Sequence, residues 1–137
     1  MTVVGNDQLS SVRVGFDCAG VTEIPPAECQ ALVDLYNQTH GPSWTVGTNW
    51  LQTQPCAWYG VACASGHVTE LRLTNGLNGT IPDSLSNLSA LRWLDLSNNQ
   101  LSGGIPSSLS SLSNLRWLNL YSNALTGDTP LDAARRV

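Results

Sequence analysis

This chain of 137 residues has no lysine, a single methionine and a single phenylalanine. Its six basic residues are all arginine, against ten Asp and Glu, so the formal net charge is −4. A phosphate backbone needs a basic stripe to hold it, so no nucleic-acid partner is expected. No apolar run approaches about 18 residues, so no membrane span is expected either. Met1 to Asp17 lacks the apolar core of about 7 to 15 residues that a secretory leader requires. The cysteines described below nevertheless call for an oxidising compartment. Met1 is therefore expected not to be the natural start, and the natural chain to extend further at that end. The C-terminus is equally unfixed, because the last repeat breaks off soon after Pro130. Catalytic combinations are scarce as well. The two histidines, His40 and His67, lie in no nucleophile arrangement with Ser or Cys, and the carboxylates are scattered singly. Neither an enzyme nor a cofactor is expected.

What the chain does have is a repeat. Leu91, Leu94, Leu96, Asn99, Leu101, Gly103, Ile105 and Pro106 recur 24 positions later as Leu115, Leu118, Leu120, Asn123, Leu125, Gly127, Thr129 and Pro130. An earlier copy, Val68, Leu71, Leu73, Leu77, Gly79, Ile81 and Pro82, is displaced by 23 at its start. It has lost one residue in the turn, where Gly76 lies near the position of the asparagine. A fixed period of this size marks a solenoid, whose units bury their apolar sides only by stacking. Each unit opens with leucines alternating with polar or aromatic residues, a period of two that predicts a strand with leucines inward. Asn99 and Asn123 suit a turn just after the strand, where the amide satisfies backbone groups of neighbouring units. Leu85 with Leu88, and Leu109 with Leu112, are expected to pack the far side.

Ahead of the repeats, Cys29, Leu32, Val33 and Tyr36 fall at i, i+3, i+4 and i+7, which predicts one amphipathic helix over about Ala27 to Thr39. Proline before it and Gly41-Pro42 after it bracket the segment. Val12, Val14 and Phe16 alternate in a way that suggests a short strand. Trp44, Trp50 and Trp58 fall within fifteen residues and are expected to fill a small satellite core beside the helix. Four cysteines admit three connectivities. Local pairing, Cys18 with Cys29 and Cys56 with Cys63, is the economical choice. A zinc site is the alternative, although neither spacing resembles a zinc knuckle.

The repeat L-x-x-L-x-L-x-x-N-x-L-x-G-x-I-P resembles the plant-type class of leucine-rich repeats. Trp50 through Cys63 resembles the N-terminal cap found in receptor-kinase ectodomains and polygalacturonase-inhibiting proteins. The stretch from Ala31 to Asn37 and on to Asn49-Trp50-Leu51 is similar to related repeat proteins of bacteria and algae. The resemblance implies an α/β fold: a right-handed leucine-rich repeat solenoid with a parallel sheet and an N-terminal helical disulfide cap. The expected division is a tail over 1–22, the cap over 23–66, three repeats over 67–130 and a tail over 131–137. Ligands of such proteins lie on the concave or lateral sheet face. The outward columns there are Thr69, Arg92, Arg116; Glu70, Trp93, Trp117; Arg72, Asp95, Asn119; and Thr74, Ser97, Tyr121. Trp93, Trp117, Tyr121, Arg92, Arg116, Asp95 and Asn119 are thus the candidate ligand-binding residues, with Trp93 and Trp117 stacked and exposed. Alternatively, the tryptophans only shield the sheet under arginine stems. The function expected is non-catalytic recognition of a protein, peptide or glycan by a secreted or cell-surface protein. The competing expectation is a structural or display unit with no ligand of its own. Three strands make a strip only some 10 to 15 Å wide, so self-association through the open side of the last repeat is also expected.

Overall fold

The computed structural model describes residues 16–126. The alternation of Val12 and Val14 lies outside that range. Pro26 lacks an N–H that the first helical turn would leave unbonded anyway, and helix α1 accordingly runs Pro26–Gln38. It ends where the Thr39 N–H bonds the Leu35 carbonyl and His40 enters the left-handed region at φ 57°. Cys29, Ala31, Leu32 and Leu35 are fully buried along its apolar face. Glu28, in the first turn, is buried too. Its carboxylate accepts from the Val68 N–H at 2.8 Å and from His67 Nδ1 at 2.6 Å, tying the helix to the first repeat strand.

Two disulfides hold this N-terminal region, Cys18–Cys29 and Cys56–Cys63, with Cα atoms 5.8 and 5.7 Å apart. The local pairing is the one that forms. Between them the expected satellite core is built from a chain of rings. Tyr36 meets Trp44 edge-on at 5.1 Å, Trp44 meets Trp50 at 4.8 Å, Trp50 meets Trp58 at 4.7 Å, and Phe16 closes on Trp58 at 5.1 Å. Burial holds the Tyr36 hydroxyl above the usual tyrosine pKa.

The principal sheet has four strands: β1 (Val61–Ala64), β2 (His67–Arg72), β4 (Trp93–Asp95) and β6 (Trp117–Asn119), in that spatial order. Strands β2, β4 and β6 are parallel, in the register Glu70, Trp93, Trp117 and Leu71, Leu94, Leu118. Strand β1 pairs antiparallel to β2 with a bulge at Ala62/Cys63, adding a strand that the repeat pattern does not contain. A second parallel sheet, also beyond the repeat pattern, consists of β3 (Asn78–Gly79), β5 (Gln100–Gly104) and β7 (Ala124–Thr126). At Gly79 the helix end comes so close that a Cβ would run into the Gln38 carbonyl oxygen, and φ is +115°. Short 3-10 segments at Asp83–Asn87 and Ser107–Ser111 carry Leu85, Leu88, Leu109 and Leu112 into one core with the strand leucines.

Asparagines knit the repeats together. Asn99 accepts from the Asn75 and Leu77 N–H groups at 2.8 and 3.0 Å and donates to the Leu73 and Leu96 carbonyls at 2.7 and 2.9 Å. Asn123 repeats this on Leu101, Leu96 and Leu120. The first rung is Asn75, next to Gly76, and it bonds both the N–H and the carbonyl of Val46. The residue missing from the first repeat explains the displacement. Later repeats place a left-handed residue just before the asparagine, Asn98 at φ 57° and Ser122 at φ 60°. The first repeat omits that residue and makes its left-handed step afterwards, at Gly76.

Candidate functional site

On the outward face of the principal sheet, period-two alternation sets every second side chain toward solvent, and parallel register aligns those side chains across strands. Trp93 and Trp117 stack as expected, with ring centroids 4.6 Å apart and planes 11° from parallel. From the β2 side the Arg72 guanidinium lies over the Trp93 ring, 4.2 Å from its centroid, and is held there by Glu70 at 2.7 Å. The cover over the tryptophans thus comes from Arg72, while Arg92 and Arg116 take no part in it.

This stack corrects the expectation of exposed tryptophans. Both rings are half-buried, and both faces of Trp93 are occupied, one by Arg72 and the other by Trp117. The pair is a row of leaning rings and not an open platform. Its Nε1 atoms are closed to solvent, and neither has a hydrogen-bond partner among the described residues. A buried donor left unsatisfied costs about 1–3 kcal/mol. Nothing in the outward period-two pattern foretells that cost.

The other candidates divide. Arg92 and Arg116 are exposed neighbours at the start of their strands, with the Arg116 N–H bonded to the Arg92 carbonyl at 2.9 Å. Asp95 is engaged locally, accepting from the Ser97 N–H at 3.0 Å and the Ser97 hydroxyl at 2.7 Å. Asn119 occupies the matching place and accepts from the Tyr121 N–H at 3.1 Å. These are turn-closing contacts at the strand ends. Tyr121 is 67% exposed and, among the described residues, makes no ring contact with the tryptophan pair. Glu70 and Arg72, absent from the candidate set, belong to the site by contact. Their place in the outward columns was the available signal.

Among the described residues no group of three or more His, Cys, Asp or Glu is arranged to hold a metal ion, and no helix is long and apolar enough to cross a membrane. Residues 66–125 match the family model described as leucine rich repeat. The receptor protein kinase WSS1 of Oryza sativa subsp. japonica is 40% identical over 85 residues, which are 59% of this chain and 9% of that protein. The chain therefore spans about a tenth of the length of the curated relatives it matches. The ectodomain of the receptor kinase SOBIR1 from Arabidopsis thaliana superposes with a TM-score of 0.63 at 30% identity, over 78% of this chain and 59% of that one. A chain of the BIR3–SERK2 complex from the same species gives 0.57 at 36% identity, over 69% and 55%. Two disulfides and these extracellular likenesses put the protein among secreted or cell-surface proteins. With its repeats, its asparagine ladder and its disulfide-held helix, the chain is similar to plant leucine-rich-repeat receptor ectodomains, and its residues 66–125 carry the leucine rich repeat itself.

Proposed function

We propose that this chain is a non-catalytic recognition module that binds a protein or peptide on the outward face of its principal sheet. The repeats would coil as a right-handed solenoid over 67–130 with a tail at 131–137, preceded by a cap over 23–66 to which Phe16 and Cys18 of the expected tail over 1–22 are joined. The observation that carries this is the Arg72, Trp93, Trp117 stack beside exposed Arg92 and Arg116. It concentrates aromatic and arginine side chains, the types enriched in binding hot spots, on a face the core does not need. A protein or peptide is favoured over a glycan on Trp93, because a sugar ring stacks on an open aromatic face and neither face of that ring is open. The BIR3–SERK2 complex, whose chain this one resembles, supports a protein partner.

Four strands about 4.8 Å apart span only about 15 Å, short of the roughly 800 Å² per partner of a standard interface. Binding by this chain alone is therefore weak, and self-association on the β6 side is a second way to gain area. A structural or display role is favoured by one observation, the half-burial of both sheet tryptophans. Peptides selected from a random phage library on the purified chain separate these roles. Recognition predicts that they bind at least ten-fold more weakly to a folded Trp93→Ala/Trp117→Ala variant. Equal binding to the variant assigns the sheet face a structural role.

A further inference from the structure

The described residues include three arginines, and the chain has no lysine. One of the three, Arg72, is paired with Glu70. The remaining two, Arg92 and Arg116, are exposed, and neither has a carboxylate within ion-pair reach among the described residues. They stand in one column. The Arg92 N–H bonds the Thr69 carbonyl at 2.8 Å, and the Arg116 N–H bonds the Arg92 carbonyl at 2.9 Å. Their Cα atoms are thus about one strand spacing apart, roughly 4.8 Å. Like charges on neighbouring strands oppose each other, and an anion between them relieves that opposition. Nearby acids do not serve: Glu70 is turned to Arg72, and Asp95 is held by Ser97. In a protein of net charge −4, this column is a local island of positive charge.

We propose that Arg92 and Arg116 form a clamp for a side-chain carboxylate of an acidic peptide segment presented by the partner. The inference rests on the outward sheet face being the binding face, and it names the chemistry recognised there. A guanidinium fork matches the planar, bidentate geometry of a carboxylate. An acidic sugar offers the same carboxylate, but its ring would find no open face on Trp93. Steering by the clamp makes association faster and dependent on ionic strength.

The test uses the intact, disulfide-bonded chain, with an octaglutamate peptide and an oligogalacturonate of equal charge as probes at low ionic strength. Binding is read from the indole N–H resonances of Trp93 and Trp117. Octaglutamate is expected to shift both. Arg92→Gln and Arg116→Gln each weaken it about five-fold, the double variant weakens it more than ten-fold, and the Lys/Lys variant binds more weakly than the native pair because an ammonium offers no fork. Unchanged affinity in the folded double Gln variant overturns the clamp. Tighter binding of oligogalacturonate overturns the peptide assignment. Phage-selected peptides that lose binding on Trp93→Ala/Trp117→Ala, but not on the double Gln substitution, leave the sheet-face role standing while removing the clamp.

Discussion

In the N-terminal region Trp44, Trp50 and Trp58 each give their indole N–H to a backbone carbonyl, those of Thr39, Tyr59 and Thr53, at 3.0, 2.9 and 2.9 Å. On the principal sheet Trp93 and Trp117 stack closely, yet neither N–H finds a partner among the described residues. The first group is fully integrated: each ring fills space and each donor closes a loop. The second keeps its polar edge unsatisfied at a cost in stability, a pattern that natural proteins concentrate at functional sites. One side-chain type thus does structural work in one region and stands free of it in the other.

The largest expected effect falls on the integrated group. Trp58, 1% exposed and in contact with Trp50 and Phe16, should lose about 3–5 kcal/mol on replacement by Ala, seen as a fall in the denaturant midpoint. Trp93→Ala should lose much less, and equal losses would erase the distinction. Asn99→Ala comes next. It strips partners from the Asn75 and Leu77 N–H groups and from the Leu73 and Leu96 carbonyls, and should cost about 2–4 kcal/mol in the same assay. That loss would show that the sheet under the tryptophans is held from beneath, by the ladder.

Opening Cys56–Cys63 by a double Ser substitution should cost about 2–3 kcal/mol, as loop-closure entropy gives for a short loop. Hydrogen exchange should quicken in the N-terminal region and stay unchanged in β4 and β6. The smallest effect is alkaline. Burial raises the pKa of Tyr36, so the folded state keeps that proton longer than the unfolded state does. The contribution is fully present below the unfolded value near 10 and is lost as pH rises through the folded value. Tyr36→Phe should remove this loss, as measured by unfolding at pH 9 and pH 11.

These two regions were unequally legible. The ring cluster and the stacked pair could be expected, because spacing near a helix and period-two alternation decide which side chains meet. The strand leucines, the 3-10 leucines and the helix follow from their periods for the same reason. Asn75 was obscured because one missing residue moved the left-handed turn from before it to after it. Glu28 reads as an ordinary surface residue of a first helical turn, and only tertiary contact reveals it as the buried acceptor of Val68 and His67. The second sheet is built from short segments rich in Gly, Ser and Asn that carry little strand signal. Arg72 reaches Trp93 diagonally between strands, a contact that column-by-column reading omits.

The most direct measurement is the unfolding free energy of two double variants in one denaturant series: Trp50→Phe/Trp58→Phe and Trp93→Phe/Trp117→Phe. The first orphans the Tyr59 and Thr53 carbonyls and leaves space behind, and should lose about 3 kcal/mol or more. The second keeps a stacked pair, and the two unsatisfied donors it removes offset its smaller rings, so it should lose no stability. Comparable losses in the two variants would contradict the division between tryptophans that hold the fold and tryptophans left free to meet a partner.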